Sequence, residues 1–154
     1  MAHLRTQIFD AVKARLVAIP RFSDPDKVVR GRKGAIKQEA LPALTLTWSD
    51  SNEIADLRPF AGANGEDGYD RRLPFSIVVH LRDDDPELEF DDICVEVESA
   101  MGAAIKLDGL VIEALLENER HYVNSQTGTS LCAGSINYRI AYKTLAADPQ
   151  QTAF

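Results

Sequence analysis

No apolar run in this chain approaches the ~20 residues needed to cross a bilayer. Runs such as Ile77-Val78-Val79 fall far short of that. The first residues also lack the apolar h-region of a secretory signal. The expectation is a chain neither exported by the usual route nor embedded in a membrane. Cysteine is scarce: Cys94 and Cys132 show no C-x-x-C spacing, which predicts core thiols of a reducing compartment rather than a disulfide framework. Three isolated histidines, His3, His80 and His121, form no H-x-x-x-H pair, so zinc-ligand spacing is missing. No nucleophile elbow surrounds any serine. Basic residues are the minority, 17 Lys and Arg against 24 Asp and Glu for a net charge of −7. This argues against a dedicated nucleic-acid binder, whose affinity comes chiefly from cations set against phosphates.

What is present is an ordinary globular composition. The 154 residues are 45% hydrophobic and 27% charged, far from a disordered chain and sufficient for one domain with a real core. Leu4, Ile8, Phe9, Val12, Leu16 and Ile19 recur at three- and four-residue steps, the mark of an amphipathic helix. Pro20 is expected to end it, because the residue before a proline is pushed out of the α region. Residues 21–39 keep no period and gather Lys27, Arg30, Arg32, Lys33 and Lys37. They read as a solvated basic connector.

Strict alternation begins at Ala43, with Leu44, Leu46 and Trp48 on one side and Thr45, Thr47 and Ser49 on the other. A second such run covers residues 73–82, with Phe75, Ile77, Val79 and Leu81 inward, and Pro74 marks its start or an edge. Residues 50–72 between them form a long connection carrying Gly62, Asn64-Gly65 and Asp67-Gly68. Ile54 and Leu57 could extend the first strand into a projecting arm, and residues 62–69, poor in apolar anchors, are expected to be mobile. Asp83-Asp84-Asp85-Pro86 has the chemistry of a helix start. Phe90, Ile93, Cys94, Val97, Met101, Ala104 and Ile105 then keep helical step as far as Gly109. Two extended runs, 110–123 and 131–145, joined through Asn124-Ser125-Gln126-Thr127-Gly128, read as a long hairpin. Residues 147–154 carry no period and are expected to be a loose tail.

The resulting order is α-β-β-α-β-β. It predicts an α+β fold, an antiparallel four-stranded sheet with two helices on one face and a long loop between the first two strands. One domain covers residues 1–154. Leu46, Trp48, Ile77, Val79, Val97, Met101, Ile136 and Ile140 are the expected core.

Several patterns invite chemistry. Residues 83–92 hold seven carboxylates in ten positions, but a helix start attracts acids for dipole reasons alone, whereas a hard-cation site needs oxygens converging from a fixed loop. The loop 62–68 lacks both the Lys-Ser/Thr of a phosphate cradle and the acid register of a calcium loop. Tyr138 and Tyr142, with Tyr122 alongside, could stack bases or line an interface, and core packing is the simpler account. No cofactor, metal or catalytic set follows from the residues.

The chain resembles the tail terminator (tail completion) proteins of long-tailed bacteriophages. The resemblance is carried by the helix ending Ile19-Pro20-Arg21-Phe22, the strand Leu41-Pro42-Ala43-Leu44-Thr45-Leu46 and the long loop into Phe75-Ser76-Ile77-Val78-Val79. The helix around Cys94-Val95-Glu96-Val97-Glu98 and the closing strand Ile136-Asn137-Tyr138-Arg139-Ile140-Ala141-Tyr142 complete it. It spans nearly the whole chain as an order of elements with loose motifs. It implies a non-enzymatic subunit of a homo-hexameric ring that caps the tail tube, stops its polymerisation and provides a head-docking face. The implied partners are the major tail tube protein, a head–tail connector protein and genome DNA passing through the lumen without specific binding. The implied location is the head-proximal end of the tail, reached through the host cytoplasm. Arg58, Asn64, Glu66, Asp67, Tyr69, Arg71 and Arg72, on and around the long loop, are the expected interface with a neighbouring subunit or the tube. The alternatives are a head–tail joining or neck subunit and a small metal-dependent hydrolase using the acidic run.

Overall fold

A computed structural model describes residues 2–31, 41–48, 52–82, 86–103, 106–124 and 131–153. Helix α1 is Leu4–Val17 and buries Leu4, Ile8, Phe9, Val12 and Leu16, the stripe set by the apolar spacing. Its start is tied twice: the Arg5 N–H donates to His3 Nδ1 at 3.0 Å, and the Leu4 N–H donates to the Pro149 carbonyl at 2.9 Å. The helix stops three residues ahead of Pro20. Ile19 is already extended there (φ −72°, ψ 126°), and a short 3-10 turn, Pro20–Phe22, buries Phe22.

Six strands follow among the described residues: β1 (Val28–Arg30), β2 (Ala43–Trp48), β3 (Ile54–Arg58), β4 (Gly68–Arg82), β5 (Glu113–Asn124) and β6 (Leu131–Leu145), with helix α2 (Pro86–Gly102) between β4 and β5. They build one sheet in the order β1-β2-β4-β6-β5, with β3 also paired to β4. All pairs are antiparallel except β1 with β2. The α+β class is as expected, whereas the four-stranded antiparallel sheet is corrected to a mixed sheet of six. The two added strands are short. Three residues in β1 cannot display a two-residue period, and in β3 every residue is exposed, so burial imposes no alternation.

The long connection is therefore not one loop. β2 and β3 lie end to end on the same edge of β4, with Trp48 opposite Phe75 and Ile54 opposite Arg72. β4 begins at Gly68 rather than near residue 73, and Pro74 sits inside it. Proline cannot donate to a ladder, and it falls where the β2–β3 edge is interrupted.

One face of the sheet carries the core. Leu44 and Leu46 of β2, Leu73, Phe75, Ile77, Val79 and Leu81 of β4, and Ile136, Tyr138, Ile140 and Tyr142 of β6 are all buried there. Phe9 of α1 packs on Phe75 with ring centroids 4.5 Å apart. α2 lays Phe90, Ile93, Cys94, Val97 and Met101 beside it. Its Phe90 occupies the space over Gly134, where an added Cβ would come within 2.2 Å of the ring. Both helices thus share one face. Of the expected core, Trp48 is the exception: it is 37% exposed, at the end of β2 with the Arg5 guanidinium 4.2 Å over its ring. The tyrosines of β6 are core side chains.

The opposite face is polar. Ser76 Oγ donates to Asn137 Oδ1 at 2.5 Å, and Asn137 Nδ2 donates to Asn118 Oδ1 at 2.7 Å. The row thereby crosses three strands. Thr45 Oγ1 lies 3.0 Å from His80 Nε2 on the neighbouring pair.

The expected loose tail is corrected. Ala146 N–H bonds the Asp67 carbonyl, Leu145 N–H bonds that of Gln151, and Ala153 N–H bonds that of Lys143. Thr152 bridges to Thr144, and Ala153 is buried. Backbone bonding needs no apolar period, so the sequence carries no sign of it. The acidic cap 83–85, the basic residues Arg32, Lys33 and Lys37, Ala104 and Ile105, and the hairpin turn 125–128 lie outside the described residues. So do the side chains of Tyr122 and Cys132.

Candidate functional site

The expected interface residues gather on an arm at one end of the sheet. It is made of β3, the first part of β4 and the last part of β6, closed by residues 59–67 and backed by residues 146–153. Because β-strand side chains alternate between faces, the arm has two chemically different sides.

On the outer side Arg58 grips Asp70 through Nε at 3.0 Å and Nη2 at 2.6 Å. Arg72 Nη2 reaches Asp56 at 3.1 Å, and Lys143 Nζ lies 3.8 Å from Asp70. Arg58–Asp70 and Arg72–Asp56 are exposed pairs, each worth ~1 kcal/mol or less, whereas Lys143 is half-buried. Their consequence is a face of alternating charge, displayed rather than buried.

The connecting turn is bonded to itself. Gly62 N–H donates to the Glu66 carbonyl at 2.9 Å and Gly65 N–H to the Gly62 carbonyl at 3.1 Å. Asn64 N–H donates to the Glu66 carboxylate at 3.2 Å, and Phe60 N–H to that of Asp67 at 3.3 Å. Backbone N–H groups, Glu66's own first and then that of Asn64, hold the Glu66 carboxyl below its ordinary range. At the start of the turn Phe60 takes a left-handed backbone (φ 57°) while its ring is 80% exposed. A shallow groove of about 360 Å³ runs between this turn and residues 151–153.

The inner side is a different environment. Glu53, its side chain only 7% exposed, receives Arg5 Nη1 at 2.5 Å and faces Arg71 Nη1 at 3.6 Å. The Tyr142 hydroxyl donates to its other oxygen. Arg71 Nε also donates to Thr144 Oγ1 at 2.8 Å, and its guanidinium sits 5.4 Å over the Tyr69 ring. Burial, then the bond to Glu53, pushes the Tyr142 hydroxyl well above its usual range. Burial, then Arg5 and Arg71, depresses His3. This cluster joins α1, β4, β6 and the approach to β3, fixing the arm to the body.

The seven expected interface residues are therefore not equivalent. Arg58 and Arg72 share the outer side, and Asn64, Glu66 and Asp67 shape the turn. Tyr69 is half-buried on the inner side, and Arg71 faces Glu53 and bonds Thr144 there. Glu53 and Arg5 were missed, because no spacing in the sequence links residues 48 positions apart.

A second group lies at the seam of α2 and β5. Cys94 Sγ and carboxylate oxygens of Glu98 and Glu119 lie within 4.8 Å of one another. Burial pushes the Cys94 thiol up to about 12, with Glu119 adding to it. Burial, then a hydrogen bond with Glu119, raises the Glu98 carboxyl. Such a set can share a proton or offer sulfur and oxygen to a soft divalent ion. Glu89 and Glu96 of α2 face Arg21 instead, at 3.4 and 2.9 Å.

No protein-family model matches the chain, and no curated protein matches it. Among solved structures, a chain described as "Virion of native gene transfer agent (GTA) particle" is similar over 86% of this chain and 93% of that one. The identity is 9% and the TM-score 0.39.

Proposed function

We propose that this protein is a structural subunit of a long-tailed phage or tail-like particle. It closes into a ring on the end of the tail tube, halts polymerisation and offers a docking face to the head, with no substrate turned over. The observation that carries this reading is the arm. A strand whose every residue is exposed is held out along the end of the sheet, with Ile54, Leu57 and Phe60 presented to solvent. A monomer gains little from such a strand, since an unpaired edge with apolar side chains is a liability unless something covers it. The connection between residues 50 and 72, one of the segments on which the resemblance to tail terminators rests, runs through this same arm. A net charge of −7 suits a subunit lining a passage through which DNA must slide without being held.

Inactivating the gene and imaging the particles tests the reading. Overlong tubes, or tails without heads, are the expected result. Normal virions overturn it, and so do tailless heads beside tubes of normal length with finished ends, which is the outcome for a neck subunit.

A further inference from the structure

Three strand edges of this sheet are left without a neighbour among the described residues, those of β1, β3 and β5, and the three-residue β1 is the shortest of them. Only β3 and β5 carry exposed apolar residues: Ile54 and Leu57 on β3, Leu115 and Leu116 on β5, with Ile112 just before it. The edge of β2 beside β3 is covered by β1. β1 itself turns Arg30 back onto α1, donating to Thr6 Oγ1 at 3.0 Å and lying 4.1 Å over the Phe9 ring. The two apolar edges differ in charge. β5 carries Glu113, Glu117 and Glu119 against Arg120, with Glu117 paired to Arg139, while β3 carries Asp56, paired to Arg72, and ends on Arg58, paired to Asp70.

We infer that the β3 edge of one copy pairs antiparallel with the β5 edge of a second copy of this chain, Arg58 facing Glu113, Leu57 facing Ala114 and Ala55 facing Leu116. The inference rests on the ring reading above and names its contact. Strand direction permits it. β3 and β6 both run opposite to β4, and β5 runs opposite to β6, so β3 and β5 point opposite ways within one copy. A rotation that preserves strand direction therefore brings them together antiparallel. The pairing also keeps faces consistent: Leu57 lies opposite Tyr69 and Ala114 opposite Ile140, both on the helix-bearing side.

The stagger fits a closed ring. Arg58 stands in the row of Gly68 and Leu145, and Glu113 in the row of Ala141, an offset of about four residues along β6, or ~13 Å at ~3.3 Å per residue. Four strands side by side span ~19 Å at ~4.8 Å each. The pairing therefore tilts the strands by roughly 35°, at the edge of the ~35–45° at which sheets close on themselves. Because the two surfaces differ, the contact is head-to-tail; it propagates from copy to copy and closes into a ring where the rotation permits.

The test is disulfide trapping of the full chain carrying Ala55→Cys and Leu116→Cys in a Cys132→Ser background. Opposed residues in an antiparallel pair lie ~4.5–5.5 Å apart, within disulfide reach, and the two positions cannot meet within one copy because β4 and β6 separate them. The expected result is a covalent ladder extending beyond dimers, absent from either single-cysteine variant. Arg58→Glu or Glu113→Arg added alone should reduce the ladder several-fold, and the two together should restore it. No ladder, covalent dimers from one cysteine alone, or no restoration by the charge swap each overturn the pairing. The ladder is read without phage: if it forms while gene loss leaves tails normal, the contact stands and the terminator reading falls. Overlong tails without a ladder give the reverse.

Discussion

The Tyr142 hydroxyl donates to the Glu53 carboxylate, joining the end of β6 to the residue that leads into β3. Glu53 also carries Arg5 and Arg71. Glu53→Ala leaves Arg71, whose side chain is 15% exposed, without its carboxylate, and the expected loss of unfolding free energy is ~3–5 kcal/mol. Tyr142→Phe removes one hydrogen bond to a charged group and should cost ~1.5–3 kcal/mol. Arg58→Glu and Arg72→Glu, on the exposed side of the same arm, should each change stability by ~1 kcal/mol or less. Urea unfolding of the four variants separates the two sides of the arm.

Gly134→Ala is expected to destabilise by ~1–3 kcal/mol. The added methyl meets the Phe90 ring, and Phe90 is held in the core. Phe90→Leu in the same chain should recover part of the loss, giving a positive coupling in a double-mutant cycle followed by thermal unfolding.

The Glu98 carboxyl is raised above its ordinary value of 4.5 by burial and by Glu119. A raised folded-state value means the unfolded chain loses this proton first. The stability associated with the protonated form is therefore full below about 4.5 and lost as pH rises through the folded-state value. Glu98→Gln should flatten the stability profile on the alkaline side of 4.5, and a profile unchanged from the parent would contradict the proton-sharing geometry.

Cys94 should be chemically quiet. Its thiol is buried and pushed up to about 12, so the thiolate that reacts is almost absent at neutral pH. In a Cys132→Ser variant, a disulfide reagent at pH 8 should label Cys94 only as fast as the protein opens. The rate should rise steeply in denaturant.

What the sequence made legible is what burial periodically imprints. α1, β2, β4, α2 and β6 each present one side to the same core, so their apolar spacing announces them. β3 has no buried side and β1 has only three residues, so neither leaves a period to read. Residues 146–153 are held through carbonyls and N–H groups, which every residue has. Trp48 kept the inward phase of β2 but sits where the strand ends, beyond full cover. In the arm, the sequence carries no sign that Arg71 faces Glu53. Whether an arginine meets water or a buried carboxylate depends on Glu53, 18 residues away, and on Arg5 beyond it.

Phe60 combines a left-handed backbone with an exposed side chain. A phenylalanine held left-handed costs ~1–3 kcal/mol over a residue with ordinary backbone angles, and here its ring returns almost nothing by burial. Phe60→Gly should therefore make the isolated subunit no less stable, and by relieving strain can make it more so. Folding alone gives no reason for an aromatic side chain at this position. Selection acting on the monomer would remove it; selection acting on an assembled particle would keep it, and the difference between the two effects of one substitution measures what the tip is for.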